Sequence, residues 1–191
     1  MNIREFCKNL SEIYQEMSQA FSIAQSSNKL QCPSDCGRCC QNPLIEASVL
    51  EMLPMALYLH DNNLIDTYLE KIAESMQTNK LCVGIKENRC HLYQNRPSIC
   101  RMFGVSAFID KHQKVQASIC KRLKELFPED SHKVINAPEN HNLEIMTHWL
   151  SRLLTLDPQL LNQPMNINLA LRKAIEKVEL HLLYEEQGNV R

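Results

Sequence analysis

Eight of the nine cysteines in this 191-residue chain lie between positions 32 and 120, and four of those, Cys32, Cys36, Cys39 and Cys40, fall within nine residues. The others follow as Cys82, Cys90, Cys100 and Cys120. Thiols packed this densely must bond to one another or to a soft metal, so whatever the chain folds into has to bring distant segments together around sulfur. The compartment decides between the two. The N-terminus, Met1 to Lys8, alternates charged with apolar residues and does not read as a secretory signal. The most apolar stretch, Val49 to Leu59, contains Glu51 and Pro54 and is far shorter than the roughly 20 residues a membrane helix needs. A cytoplasmic location is expected, where structural disulfides are rare and clustered cysteines point to metal or redox chemistry. An odd number of cysteines also leaves one unpaired in any disulfide framework.

Charge removes two classes of partner. With 21 basic and 22 acidic side chains, no strong overall field draws in nucleic acid or anionic lipid. Neither nucleic acid nor membrane is expected, and a protein substrate or partner stays open. The oligomeric state is not fixed by the sequence.

The flanks are helical. Ile3, Phe6, Cys7, Leu10, Ile13, Tyr14, Met17, Phe21 and Ala24 recur at three- and four-residue steps, which predicts an amphipathic helix over about 3–27. Cys7 lies on that stripe and reads as a small buried hydrophobe. A second helix is expected over about 44–53, broken or kinked at Pro54, and a third over about 64–76. From Thr78 to Cys120 the helical period is lost. Val105–Ile109 and Val115–Ile119 flank a polar turn and have the pattern of a small β-hairpin. Residues 128–142 read as a linker or surface loop. Two further helices follow, about 143–154 and from 167 to near Gly188.

The cysteine segments carry the chemistry. Cys36-Gly37-Arg38-Cys39 has the two-residue spacing of a metal knuckle, shared by zinc ribbons and iron–sulfur loops. Gly37 suits a tight turn with positive φ that aims backbone amides at thiolates. Thioredoxin-like redox sites share the spacing but need a βαβ setting, and these flanks are helical. In the adjacent pair Cys39-Cys40, side chains diverge on either a helix or a strand. Such a pair suggests a polynuclear cluster or two sites on one segment; alternatively, one of the two is a packed core cysteine. The downstream segment reads Cys90-His91-Leu92-Tyr93-Gln94-Asn95-Arg96-Pro97-Ser98-Ile99-Cys100-Arg101. Tyr93 reads as a packing residue with a satisfied hydroxyl, and His91 as a weaker ligand than its neighbour Cys90.

Together, Cys36-Gly37-Arg38-Cys39-Cys40 and that downstream segment resemble the CxxCxxCC, or YkgJ, family of cysteine-cluster proteins, described as chelating zinc or iron. The resemblance covers about residues 30–122. It departs in the first spacer, where three residues rather than two separate Cys32 from Cys36. It implies that Arg96 and Arg101 serve the bound group, by offsetting thiolate charge or donating hydrogen bonds to sulfur. Flagellin lysine N-methylases contain a related cluster, so an iron–sulfur-linked protein-modifying or redox role is implied as well. The chain has no glycine-rich strand–turn–helix signature for a nucleotide or methyl donor.

The fold expected is mainly α, with helices around an irregular cysteine-rich metal-binding centre. A cysteine-cluster domain would span 1–127, and a helical extension over 128–191 would pack on it. The candidate ligands are Cys32, Cys36, Cys39, Cys40, Cys82, Cys90, Cys100 and Cys120, and the cofactor is an iron–sulfur cluster or zinc. Eight thiolates exceed what one zinc ion or one four-iron cluster takes, which leaves either two sites or one site beside free thiols. A structural zinc module without catalytic activity is the alternative reading. No catalytic residue can be named.

Overall fold

The computed structural model describes residues 2–33 and 36–188, with the backbone alone described at 186–188. Helix α1 runs from Ile3 to Ser27, with the Asn2 side chain accepting hydrogen bonds from the amides of Arg4 and Glu5. Its buried stripe, including Phe6, Leu10, Tyr14, Met17 and Phe21, is the one the sequence marks. Past Asn28 the chain turns through Lys29 at φ 55°, and the Leu30 amide returns to the Gln25 carbonyl at 2.9 Å. This left-handed reversal ends the helix and directs the cysteine loop away from it.

A two-residue strand, β1 (Glu46–Ala47), precedes α2 (Val49–Asp61). Here expectation and structure part. Residues 44–48 lie outside the helix, and α2 continues through Pro54 to Asp61. Proline forfeits one amide bond and crowds the preceding turn, yet Leu50, Leu53, Ala56 and Leu59 are all buried in one cluster. Tertiary packing outweighs the local penalty. Helix α3 follows at Ile65–Gln77.

Between 78 and 120 the chain forms two antiparallel hairpins. The first, β2 (Ile85–Lys86) with β3 (Arg89–Cys90), turns through Glu87 and Asn88 at φ 49° and 65°. Two consecutive left-handed residues are what a two-residue hairpin with right-handed twist requires. A 3₁₀ turn (Tyr93–Asn95) and the short helix α4 (Ser98–Met102) lead to the second hairpin. That one pairs β4 (Val105–Ile109) with β5 (Val115–Ile119) from Val105↔Ile119 to Ile109↔Val115, with the bounds the alternation predicts.

Helix α5 (Lys121–Leu126) passes into α6 (Pro128–Asn136), so the segment expected to be a loop is mostly helix. Pro128 sits in the first turn, where its missing amide costs nothing, and Glu129 and Asp130 suit the positive end of the helix. Helices α7 (Met146–Leu154) and α8 (Pro158–Leu161) lead to β6 (Met165–Asn166), which pairs with β1, and to α9 (Ile167–Gly188).

One apolar cluster joins α1, α2, α3 and α9 through residues such as Leu10, Leu53, Ile72 and Ala174. A smaller one joins the β4–β5 hairpin to α5 and α6 through Val105, Ile119, Leu123 and Val134. A third packs Met17 and Phe21 of α1 on Met102 and Trp149. Half-buried Cys39, Cys82, Cys90 and Cys100 pack against the edge of the first cluster.

Candidate metal centre

Three segments carry the thiols, and each is held by a different device. The loop 36–42 is a run of tight turns in which Cys40 N–H bonds the Gly37 carbonyl (3.0 Å) and Asn42 N–H the Cys39 carbonyl (3.3 Å). Because this stretch is neither helix nor strand, the expected divergence of adjacent side chains does not apply, and the Cys40 thiol acts directly on that of Cys39. Gly37 is needed for a reason other than positive φ: a Cβ there would lie 2.5 Å from the Asn88 carbonyl oxygen. The first cysteine loop thus rests directly on the β2–β3 turn. The Cys82 amide donates to the Cys40 carbonyl (3.2 Å), and Gln41 Nε2 to Asn88 Oδ1 (2.6 Å), which completes the seam.

The β2–β3 hairpin then sets Cys82 and Cys90 side by side, closed by a 2.8 Å bond from His91 N–H to the Gly84 carbonyl. A Cβ on Gly84 would stand 3.6 Å from Cys82 Sγ and 3.7 Å from Cys90 Sγ, so the bare glycine leaves a space that both sulfurs border. Cys100 enters on α4.

Cys40 is the hub. Its thiol lies close to those of Cys39, Cys82 and Cys90, and their proximity, with burial, pushes it well above an ordinary thiol. The three partners respond in the opposite direction. Cys39 is lowered first by the Cys40 thiol and then by nearby backbone amides and the Arg96 charge. Cys82 and Cys90 are lowered by the same Cys40 thiol, aided by the amides of Gly84 and Leu92 respectively. Cys100 is raised well above an ordinary thiol, chiefly by burial. Cys32 is exposed; its thiol is pushed up by partial desolvation and by the neighbouring thiols of Cys36, Cys39 and Cys120. The eight thiols therefore divide into an inner set (Cys39, Cys40, Cys82, Cys90, with Cys100 behind it) and an outer set (Cys32, Cys36, Cys120).

Among the described residues, no three His, Cys, Asp or Glu side chains stand in the finished geometry of an ion site. The donor chemistry nonetheless fits a thiophilic metal. Soft sulfurs from two segments act on one another, Cys82 and Cys90 border one space beside Gly84, and nearby backbone amides lower the thiols of Cys39, Cys82 and Cys90.

The two arginines separate. Arg96 lies over the Tyr93 ring at 3.8 Å and acts on Cys39, Cys90 and Cys100, and its buried Nε has no partner. Tyr93, expected to be packed, is 53% exposed and serves as the platform for that guanidinium. Arg101 turns elsewhere, to the carbonyls of Tyr14, Gln94 and Arg96 and the Ser18 hydroxyl. His91 is exposed. Cys7 is buried, and its thiol is pushed up to about 12 by burial.

Two supporting residues escaped the sequence reading. Buried Glu51 accepts from the Ser48 amide (2.7 Å), the Ile99 amide (3.3 Å) and the Ser98 hydroxyl, so one carboxylate caps α2 and starts the helix that carries Cys100. Asn168 is 1% exposed; it accepts from Val83 N–H (3.0 Å) and donates to the Leu81 carbonyl (2.7 Å), gripping both sides of Cys82. The pairing Ser48/Glu51 is readable as a capping box. Nothing in the sequence ties either residue to a cysteine.

Residues 31–121, just under half the chain, match the family model CxxCxxCC, whose description is "Putative zinc- or iron-chelating domain". The family expected from the motifs is the family matched, and zinc or iron is the metal its description gives. No curated protein and no solved structure matches the chain.

Proposed function

We propose that the chain binds a thiolate-ligated centre, an iron–sulfur cluster or zinc, on the inner set Cys39, Cys40, Cys82 and Cys90. Cys100 stands next to it, and Cys32, Cys36 and Cys120 form the outer set. The observation that supports this most is the convergence on Cys40: the Cys82 amide bonds its carbonyl at 3.2 Å, Cys82 and Cys90 Sγ border one space beside Gly84, and the thiols of Cys39, Cys82 and Cys90, from two segments some 40 residues apart, act on its own. In an apolar core such an arrangement gains little, because a thiol is a weak hydrogen-bond donor. It becomes useful when the protons leave and a cation takes up the charge. When bound, the metal supplies either a structural tie or, as a cluster, an electron-accepting site. Arg96 offsets the negative charge that four thiolates leave over.

A redox or protein-modifying role rests on the likeness to the flagellin lysine N-methylase cluster, and a coloured, redox-active centre is its precondition. Anaerobic purification followed by elemental analysis and an absorbance spectrum tests the reading. Iron and sulfide with a broad band near 400 nm indicate a cluster; colourless protein with stoichiometric zinc indicates the structural module. Protein that retains neither zinc nor iron after reconstitution overturns both. Single Cys→Ser variants at 39, 40, 82 and 90 should each lower the metal content, whereas Cys7→Ser should leave it unchanged.

A further inference from the structure

Arg101 is 8% exposed, and it forms no ion pair with a carboxylate among the described residues. The charged group that acts on it most is another cation, Arg96, and its guanidinium lies over the neutral Tyr14 ring at 4.8 Å. Burying an uncompensated guanidinium is costly, and proteins ordinarily pair such a charge. Four of its five N–H groups are used: Nε on the Arg96 carbonyl (2.9 Å), Nη1 on Ser18 Oγ (2.6 Å) and the Tyr14 carbonyl (3.4 Å), and Nη2 on the Gln94 carbonyl (2.7 Å). One Nη2 hydrogen is left over, and the neutral acceptors do not cancel the charge.

The same guanidinium lines a cleft of about 480 Å³ between α1, α2 and the 3₁₀ turn. The rest of the lining is polar in an ordered way. Ser11, Gln15 and Ser18 come from one face of α1, spaced four and three residues apart, and Gln94 and Asn95 face them from the turn. The side chains of Ser11, Gln15, Gln94 and Asn95 make no hydrogen bond to another described residue, so they can meet a guest without giving up a protein partner. Pro54 closes the floor. A buried cation with a spare donor, free amides and hydroxyls around it, and a volume in the range of small-molecule sites form a set of converging polar groups.

We propose that this cleft binds a small polar molecule through an oxyanion, a carboxylate or a phosphate, seated on Arg101, with the amides of Gln15 and Asn95 holding the remainder. The oxyanion supplies the counter-charge that the fold itself does not provide. This site stands apart from the metal reading and survives its failure.

Titration calorimetry on the full chain as purified, at fixed ionic strength, tests it, with succinate and inorganic phosphate as probes and chloride as the control. Saturable one-to-one binding of either oxyanion, absent with chloride, is expected; which probe binds more tightly identifies the carboxylate or the phosphate class. The double variant Gln15→Ala/Asn95→Ala, whose changes lie on the cleft rim, should bind about fivefold or more weakly with an unchanged circular dichroism spectrum. Arg101→Lys, if it folds, should lose binding, because a point charge does not reproduce the fork. No saturable heat from either probe, or undiminished affinity in the double variant, overturns the proposal.

Discussion

Gly37 and Gly84 both sit in the cysteine motifs, but the space around them predicts opposite outcomes on substitution. A methyl group at Gly37 meets backbone, with the Asn88 carbonyl oxygen at 2.5 Å and its carbon at 2.7 Å, so the loop and the hairpin have to separate. Gly37→Ala should lose about 1–3 kcal/mol of stability, as overpacked sites do, and weaken metal retention with it. Gly84→Ala adds contacts of 3.6–3.7 Å, ordinary packing distances, and should fold with a change of less than about 1 kcal/mol. Thermal melts of the two variants beside the parent decide the point. Arg96→Gln removes the cation facing Cys39 and Cys90 and should weaken metal binding by about tenfold, as loss of a supporting group around a metal typically does, measured by chelator competition. The clustering of the thiols was legible in the sequence because it is written in residue type and spacing; Arg96 entered, with Arg101, only through the family resemblance. The division into inner and outer sets was not legible, because it depends on a run of turns that folds adjacent Cys39 and Cys40 onto one side.

Helix α4 is five residues long, too short to form on its own, and starts at Ser98 without a side-chain cap of its own. Glu51, on another helix, takes that role. Glu51→Ala would leave the Ser48 and Ile99 amides and the Ser98 hydroxyl without their acceptor, at a cost of about 2–4 kcal/mol, and would loosen Cys100. Glu51→Gln keeps an acceptor oxygen and should lose less. Urea denaturation of both variants measures the difference, and equal losses would mean that one amide oxygen cannot replace the carboxylate, whose two oxygens are both engaged. Elements with a strong period of their own, α1, α3 and the β4–β5 hairpin, stand within a residue or two of where the sequence puts them. Those held together by other parts of the chain do not. The β2–β3 hairpin has only two residues per strand and is pinned by Asn88 and Asn168 contacts, and α2 passes through Pro54 because both its sides are buried. Helix α6 lacks the long apolar stripe that announces a helix, since Ser131 and Val134 are its only buried residues.

Across the molecule, the large apolar cluster draws its residues from both ends of the chain, α1 and α2 at one and α9 at the other, while the thiols lie along its edge. Among the described residues no helix is long and apolar enough to cross a membrane. That placement predicts how the protein behaves when metal is withdrawn. The helical core does not need sulfur to be buried, whereas the loop 36–42 and the β2–β3 hairpin meet through only a few hydrogen bonds and the Gly37 contact. A strong chelator should therefore leave most of the helical circular dichroism in place and make the inner and outer thiols reactive to a disulfide reagent, with Cys7 staying silent until the core itself unfolds. The thermal midpoint should fall with metal loss and recover on reloading, because a ligand that binds only the folded state stabilises it. Acid should act in the same direction. Protons compete with the metal for thiolate, so affinity falls as pH falls, and the stability the metal confers is lost from the neutral side downward. The opposite result, in which helical signal and metal disappear in one cooperative step on chelation at neutral pH, would mean that the sulfur centre nucleates the core rather than resting on it.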